Sequence, residues 1–133
     1  MSREMSIFVL GTDETIMDTF NLALIIADPW VNMILSGEKP WEMRSQSTNI
    51  RERIGFIEKG SGLIVGEGYL VDCRMMDKIT LRHISNREKH KIDYAQHPEL
   101  LKYKYAWVLR NVKKYKKPIP YSHPRGAVIW VRV

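Results

Sequence analysis

The sequence predicts an α+β fold, a small and mostly antiparallel β-barrel flanked by short helices, on three observations. Five or so segments are apolar at strand length, the helical signals between them are short, and no regular strand–helix–strand repeat links them. Closing such a sheet into a barrel removes its exposed edges. The 133 residues match the size of one domain, and 44% hydrophobic content supplies one core. Residues 1–20 show no firm period and read as an N-terminal arm; 21–133 read as the domain.

The elements follow in order. Leu22 to Ala27 is a continuous apolar run, as expected of a strand buried on both faces. Asp28-Pro29 marks a helix start, with Asp28 as cap and Pro29 at the first helical position. Trp30, Met33 and Ile34 share one helical face, and Gly37 stops the helix after about two turns. Trp41 to Arg44 is a short extended piece. Ile54 to Glu58 is a strand that Gly60-Ser61-Gly62 turns into the run Leu63 to Cys73. In that run Leu63, Val65, Glu67, Tyr69 and Val71 fall on one face, with Gly66 and Gly68 on the other. Ser85 and Glu88 form a capping box opening a charged helix to about Tyr94, and Pro98 starts a helical turn through Leu101. Tyr105–Val112 and Ala127–Val133 alternate as strands, separated by a lysine-rich turn and by Pro118, Pro120 and Pro124.

Composition narrows the function classes. No segment approaches the ~18 apolar residues of a membrane span, and Asp13, Glu14 and Asp18 interrupt any signal-peptide pattern. The one cysteine, Cys73, excludes an internal disulfide and fits a reducing cytoplasm; at the end of an apolar strand it reads as a buried structural thiol. A soluble cytoplasmic protein is expected, with no membrane partner and an oligomeric state left open. The net charge is +6, and seven of the 21 basic residues fall between Lys102 and Lys117, among Tyr103, Tyr105, Trp107 and Tyr115. Lys102, Lys104, Lys113, Lys114, Lys116 and Lys117 therefore form a candidate nucleic-acid surface, the cations meeting phosphates and the rings stacking on single-stranded bases. A strand with a solvated lysine edge has the same pattern.

The constellation that carries chemistry is Pro29-Trp30 followed by Gly37-Glu38-Lys39-Pro40-Trp41-Glu42-Met43-Arg44. Extended geometry puts Trp41 and Met43 on the core face and Glu42 with Arg44 on the other. Gly37 and Pro40 set the backbone so that Lys39 reaches the same groove. An acid, a lysine and an arginine at one strand entrance can recognise an anion or a base edge. The competing reading is a surface ion pair worth only ~0–1 kcal/mol. Glu67 is an acid on an apolar face, either paired with a base such as Arg44 or aimed into the cleft.

This pattern resembles the ASCH family, relatives of the PUA-like domains. Further matches are Gly62-Leu63-Ile64-Val65-Gly66, the Val71-Asp72-Cys73 exit, and Gly126-Ala127-Val128-Ile129-Trp130. The likeness runs from about Leu22 to the C-terminus. It implies a small barrel whose cleft is lined by Lys39, Glu42 and Arg44 with Trp30 beside them, and a protein that binds RNA or another nucleic acid. One branch of the family hydrolyses the acyl amide of a modified cytidine with a lysine, a threonine and a glutamate. Lys39 matches that lysine, while Glu42 stands at the threonine position. Other bacterial members are linked to RNA cleavage.

The function expected is nucleic-acid binding, of RNA above all, with a nucleotide or base held by Trp30, Lys39, Glu42, Arg44, Glu67 and Tyr121. A hydrolase acting on a modified nucleoside or on RNA is the alternative, with Lys39 and Glu42 as its catalytic pair. A protein-interaction module is a third class. No cofactor motif appears. His83, His90 and His97 are spaced seven apart but fall on different elements and read as surface histidines, so no metal site is expected.

Overall fold

The structure is a computed structural model and describes residues 20–133. The expected arm lies outside the described residues except for Phe20, which is buried. Among these residues six strands form one sheet: β1 (Leu22–Ile26), β2 (Trp41–Arg44), β3 (Arg53–Glu58), β4 (Leu63–Met75), β5 (Tyr105–Pro120) and β6 (Trp130–Arg132). Helices α1 (Trp30–Leu35), α2 (Lys78–Arg82) and α3 (Ile84–His90) and a 3-10 turn (Pro98–Lys102) flank it. The strand order is β2-β5-β4-β3-β1-β6, with β1 and β3 parallel and every other pair antiparallel. The sheet curls into a half-barrel, the α+β architecture expected.

Alternation explains the apolar run of β1. Leu24 and Ile26 enter one cluster with Val31, Ile34, Phe56 and Trp107, while Ala23 and Ile25 enter another with Phe20, Ile57, Ile64 and Tyr115. Both faces of the strand are covered, so neither can be polar. A third cluster gathers Trp41, Met43, Leu81, Ile92, Tyr94, Ala106 and Val108 between β2, β5 and the helices. The β3–β4 turn is held by Gly60 and Gly62 at φ +81° and +72°, and by the Ser61 N–H donating to the Glu58 carbonyl at 3.0 Å. β4 and β5 pair along nearly their whole length with three register shifts, and such bulges increase twist and curl.

Several local expectations are corrected. The lysine-rich segment is strand, not turn. β5 runs unbroken to Pro120, with Lys113 opposite Glu67 and Lys114 opposite Gly66; Asn111 at φ +52° takes up the irregularity. The backbone pairs while the lysine heads stay in solvent, and buried Tyr115 anchors the segment. β6 is correspondingly short. In β4 the bulges break the simple period, leaving Tyr69 and Val71 exposed and Leu70 buried. Cys73 is half-buried, within a strand that continues to Met75. Asp28 accepts from the Asn32 side chain at 2.6 Å rather than capping the backbone, and Pro29 precedes the helix. The α3 cap is His83, whose Nδ1 accepts from the Ser85 N–H. α2, capped by Asp77, carries no apolar period beyond buried Leu81 and escapes sequence reading.

His90 is not a surface histidine but fully buried. Its Nε2 faces the Leu81 carbonyl at 2.8 Å and its Nδ1 receives the Ile92 N–H at 3.0 Å, which requires the neutral Nε2–H tautomer. Burial lowers its pKa and keeps that form. Tyr94 packs edge-on against it at 5.1 Å between ring centroids, its hydroxyl buried without a hydrogen-bond partner among the described residues. Burial pushes that hydroxyl up to about 12. Tyr94→Phe removes an unsatisfied group, so denaturant unfolding should show unchanged stability or a gain of ~1 kcal/mol. A loss above ~1 kcal/mol would mean the hydroxyl has a partner.

No helix among the described residues is long and apolar enough to cross a membrane, and no group of three His, Cys, Asp or Glu there is placed to hold a metal ion.

Candidate functional site

The motif segment is positioned by α1. The helix ends at Ser36, Gly37 takes the left-handed conformation at φ +89°, and the chain turns back so that the Lys39 N–H donates to the Met33 carbonyl at 3.1 Å. The Pro40 carbonyl then accepts from the Leu109 N–H, and β2 pairs with β5, Glu42 opposite Trp107 and Arg44 opposite Tyr105. Four residues after the helix, Lys39 is therefore fixed under its end, with 1% of its surface exposed.

A buried lysine needs partners. Its Nζ donates to the Trp41 carbonyl at 2.6 Å and the His90 carbonyl at 2.7 Å, and lies 5.2 Å from the centre of the Trp30 ring. The position left on the nitrogen is an N–H when the group is charged and a lone pair when it is not. Burial lowers its pKa from 10.5 to about 8; Glu42 opposes that shift and Arg44 adds to it. Between about pH 8 and 10.5 the unfolded chain holds this proton more tightly than the folded one, so stability rises with pH across that window. Wild type should gain up to about 3 kcal/mol relative to Lys39→Met between pH 7.5 and 10.5. A pH-independent difference between the two denaturation curves would mean that Lys39 has an ordinary pKa.

Arg44 closes the sheet. Its Nη2 donates to the Ile25 carbonyl at 2.7 Å, joining the β2 edge to β1 where β6 has ended, and its guanidinium lies over the Trp107 ring at 5.5 Å. Trp107 in turn stacks on Trp130 at 5.8 Å. Both Nε and Nη2 of Arg44 approach the same oxygen of Glu42, Oε2, at 2.8 Å. Glu42 Oε1 and Arg44 Nη1 take no hydrogen bond from or to any described residue. The pair is largely buried, with side-chain exposures of 17% for Arg44 and 8% for Glu42.

These groups line a cavity of about 300 Å³, at the lower end of the ~300–1,000 Å³ usual for small-molecule sites. Trp30, Lys39, Glu42 and Arg44 meet there with Met43, Tyr103 and Lys59. Glu67 and Tyr121, placed beside them from sequence, do not line it. Glu67 faces away from the glycine side of β4 and is satisfied by Arg53 and by the Tyr115 hydroxyl at 2.7 Å, not by Arg44. Burial and that hydrogen bond raise the Tyr115 pKa. Tyr121 follows β5, packs on the cluster around Tyr115, and bonds His123 Nδ1 at 2.6 Å. Tyr103 is the tyrosine at the cavity instead.

The six lysines separate. Lys113, Lys114, Lys116 and Lys117 are exposed toward the far end of β5, five to nine residues past the Val108 pairing with β2, or ~15–30 Å along the strand. Lys102 and Lys104 line a second cavity of about 600 Å³ with Lys78, Met76 and Leu101. Among the polar described residues lining the cavity, Lys59 and Tyr103 are the two that sequence reading missed. Lys59 directly follows β3 in a glycine turn, where solvated lysines are common, and Tyr103 sits in a charged stretch without period.

Comparisons with known proteins identify the family and the fold. A family model described as the ASCH domain matches residues 24–119. The fold is similar to the crystal structure of ASCH from Zymomonas mobilis, with TM-score 0.64 and 18% identity over 84% of this chain and 86% of that one. It is similar also to a serine-to-alanine variant of that protein, with TM-score 0.65 and 17% identity over 87% and 89% of the two chains. A tyrosine-to-phenylalanine variant gives 0.64 and 18% over 84% and 88%. No curated protein matches the sequence. With the family match spanning residues 24–119, most of the chain, the chain belongs to the ASCH domain family.

Proposed function

We propose that the protein binds RNA and holds one unstacked base in the Lys39/Glu42/Arg44 cavity. The observation that carries this reading is the pairing of Arg44 through a single carboxylate oxygen. It leaves Glu42 Oε1 as an acceptor beside two unused donors, Arg44 Nη1 and the remaining Lys39 position. An exocyclic amine donates to Glu42 Oε1 while a ring nitrogen or carbonyl accepts from the cations. Trp30 and Tyr103 supply ring faces for stacking. Single-stranded RNA exposes bases in this way; a duplex does not.

The β5 lysines extend the same reading to flanking phosphates. Reversing Lys113, Lys114, Lys116 and Lys117 to glutamate should weaken binding of a ~10-nucleotide RNA by well over tenfold at low salt. It should also reduce the salt slope by about 3, at ~0.7 per phosphate contact. A mononucleotide, too short to reach both regions, should bind the reversed variant as it binds wild type. Unchanged RNA binding, or equal losses for RNA and mononucleotide, would remove these lysines from the interface.

Hydrolysis of a modified nucleoside is the second reading, favoured by the lowered pKa of Lys39, which suits a general base. Glu42 is the one acid lining the cavity among the described residues and is already held by Arg44. Incubation with acylated cytidine, or with labelled RNA, is therefore expected to give no turnover. Turnover that disappears in Lys39→Ala would replace the binding reading with a hydrolase.

A further inference from the structure

Of the four charged side chains that line the cavity among the described residues, Lys59 is the one with no ion pair or side-chain hydrogen bond to any described residue. Its backbone is nonetheless well held. The Lys59 N–H donates to the Ile26 carbonyl at 2.9 Å, and Glu58 and Ser61 close the turn around it. The end of β3 thus presents an exposed ammonium at the cavity rim, beside the end of β1. With the lysines protonated, the described residues of the wall carry Lys39, Arg44 and Lys59 against Glu42, three positive charges less one negative, or +2. A neutral ligand leaves that charge uncompensated. A base that turns its amine and ring nitrogen to Glu42 and Arg44 carries its sugar on the opposite edge, which directs the phosphate of a bound nucleotide toward the open rim where Lys59 stands. A lysine is a compact charge suited to that group.

We propose that the cavity ligand is a phosphorylated nucleotide whose phosphate is met by Lys59 while Glu42 and Arg44 hold its base. This rests on the base-binding reading above and assigns a separate part of the ligand to a separate residue.

Calorimetric titration of the full chain at low salt tests it with cytidine, its 3′- and 5′-monophosphates, and inorganic phosphate. One monophosphate is expected to bind about five- to 20-fold more tightly than cytidine, and inorganic phosphate far more weakly than either. Lys59→Gln should remove the advantage, leaving cytidine affinity and the melting curve unchanged, and Lys59→Arg should keep most of it. Equal binding of nucleoside and nucleotides, or an advantage that survives Lys59→Gln, would overturn the Lys59 assignment and leave the base site standing. Inorganic phosphate binding as tightly as a monophosphate would reduce the site to one for simple anions. No binding by any of the cytidine compounds would overturn both readings.

Discussion

Arg44→Met should lower stability by about 2–3 kcal/mol and abolish measurable nucleotide binding. Removing the guanidinium strands a carboxylate in a largely buried position and leaves the Ile25 carbonyl without its donor. Breaking a fully buried pair costs ~3–5 kcal/mol, and the remaining exposure of Arg44 reduces that figure. The melting temperature of a domain this size should fall by roughly 8–15 °C. Binding and folding are thus coupled in this variant, and a second substitution separates them. Glu42→Leu together with Arg44→Met replaces the pair by apolar groups, which is often close to neutral for stability. The double variant should recover most of the lost stability yet still fail to bind, because both recognition groups are gone. Recovery of binding along with the melt would show that the single variant failed merely by unfolding.

Gly66→Ala has a comparably large effect from a different cause. A Cβ at this position would come within 2.6 Å of the Lys113 carbonyl oxygen and 2.5 Å of Leu35 Cδ2. The leucine tip can move, but the carbonyl belongs to the β5 backbone beside a register shift. A loss of about 3 kcal/mol is expected on denaturant unfolding. Gly68→Ala makes a useful comparison, since the atoms nearest its Cβ belong to the side chains of Phe56 and Val112, at 3.0–3.1 Å. A loss of ~1 kcal/mol is expected there. Since Leu35 ends the helix that seats Lys39, Gly66→Ala should also weaken ligand binding, whereas Gly68→Ala should leave it intact. Equal and small losses for both alanines would show that the sheet absorbs the added atom at either site.

These contacts also explain how far the sequence was legible. The run Leu22–Ile26 is readable because both faces of β1 are covered, so every residue reports the same environment. The two-residue period of Trp41–Arg44 is readable because Trp41 and Met43 enter the core while Glu42 and Arg44 face the cavity, whose wall Met43 also reaches. The strand through Lys113–Lys117 is not. Its backbone pairing with β4 depends on partners some 50 residues away, while its side chains meet water. Glu67 shows an intermediate case: phase correctly places an acid among apolar residues, but phase does not name Arg53 and Tyr115 as its partners. His90 was missed for the same reason, since the Leu81 carbonyl and Ile92 N–H that make its burial tolerable come from the folded chain.

The role of the unpaired Glu42 oxygen is tested most directly by Glu42→Gln, with cytidine and uridine monophosphates titrated against both proteins. The amide oxygen still accepts from Arg44, so the melting curve should shift little. The free position changes from acceptor to donor. Wild type should prefer the cytidine nucleotide, whose exocyclic amine donates to Glu42 Oε1. In Glu42→Gln that affinity should fall by about five- to 150-fold, for an unpaired buried group costing ~1–3 kcal/mol, while uridine binding holds or improves. Identical isotherms for both nucleotides on both proteins, with the fold intact, would contradict a base held at Glu42.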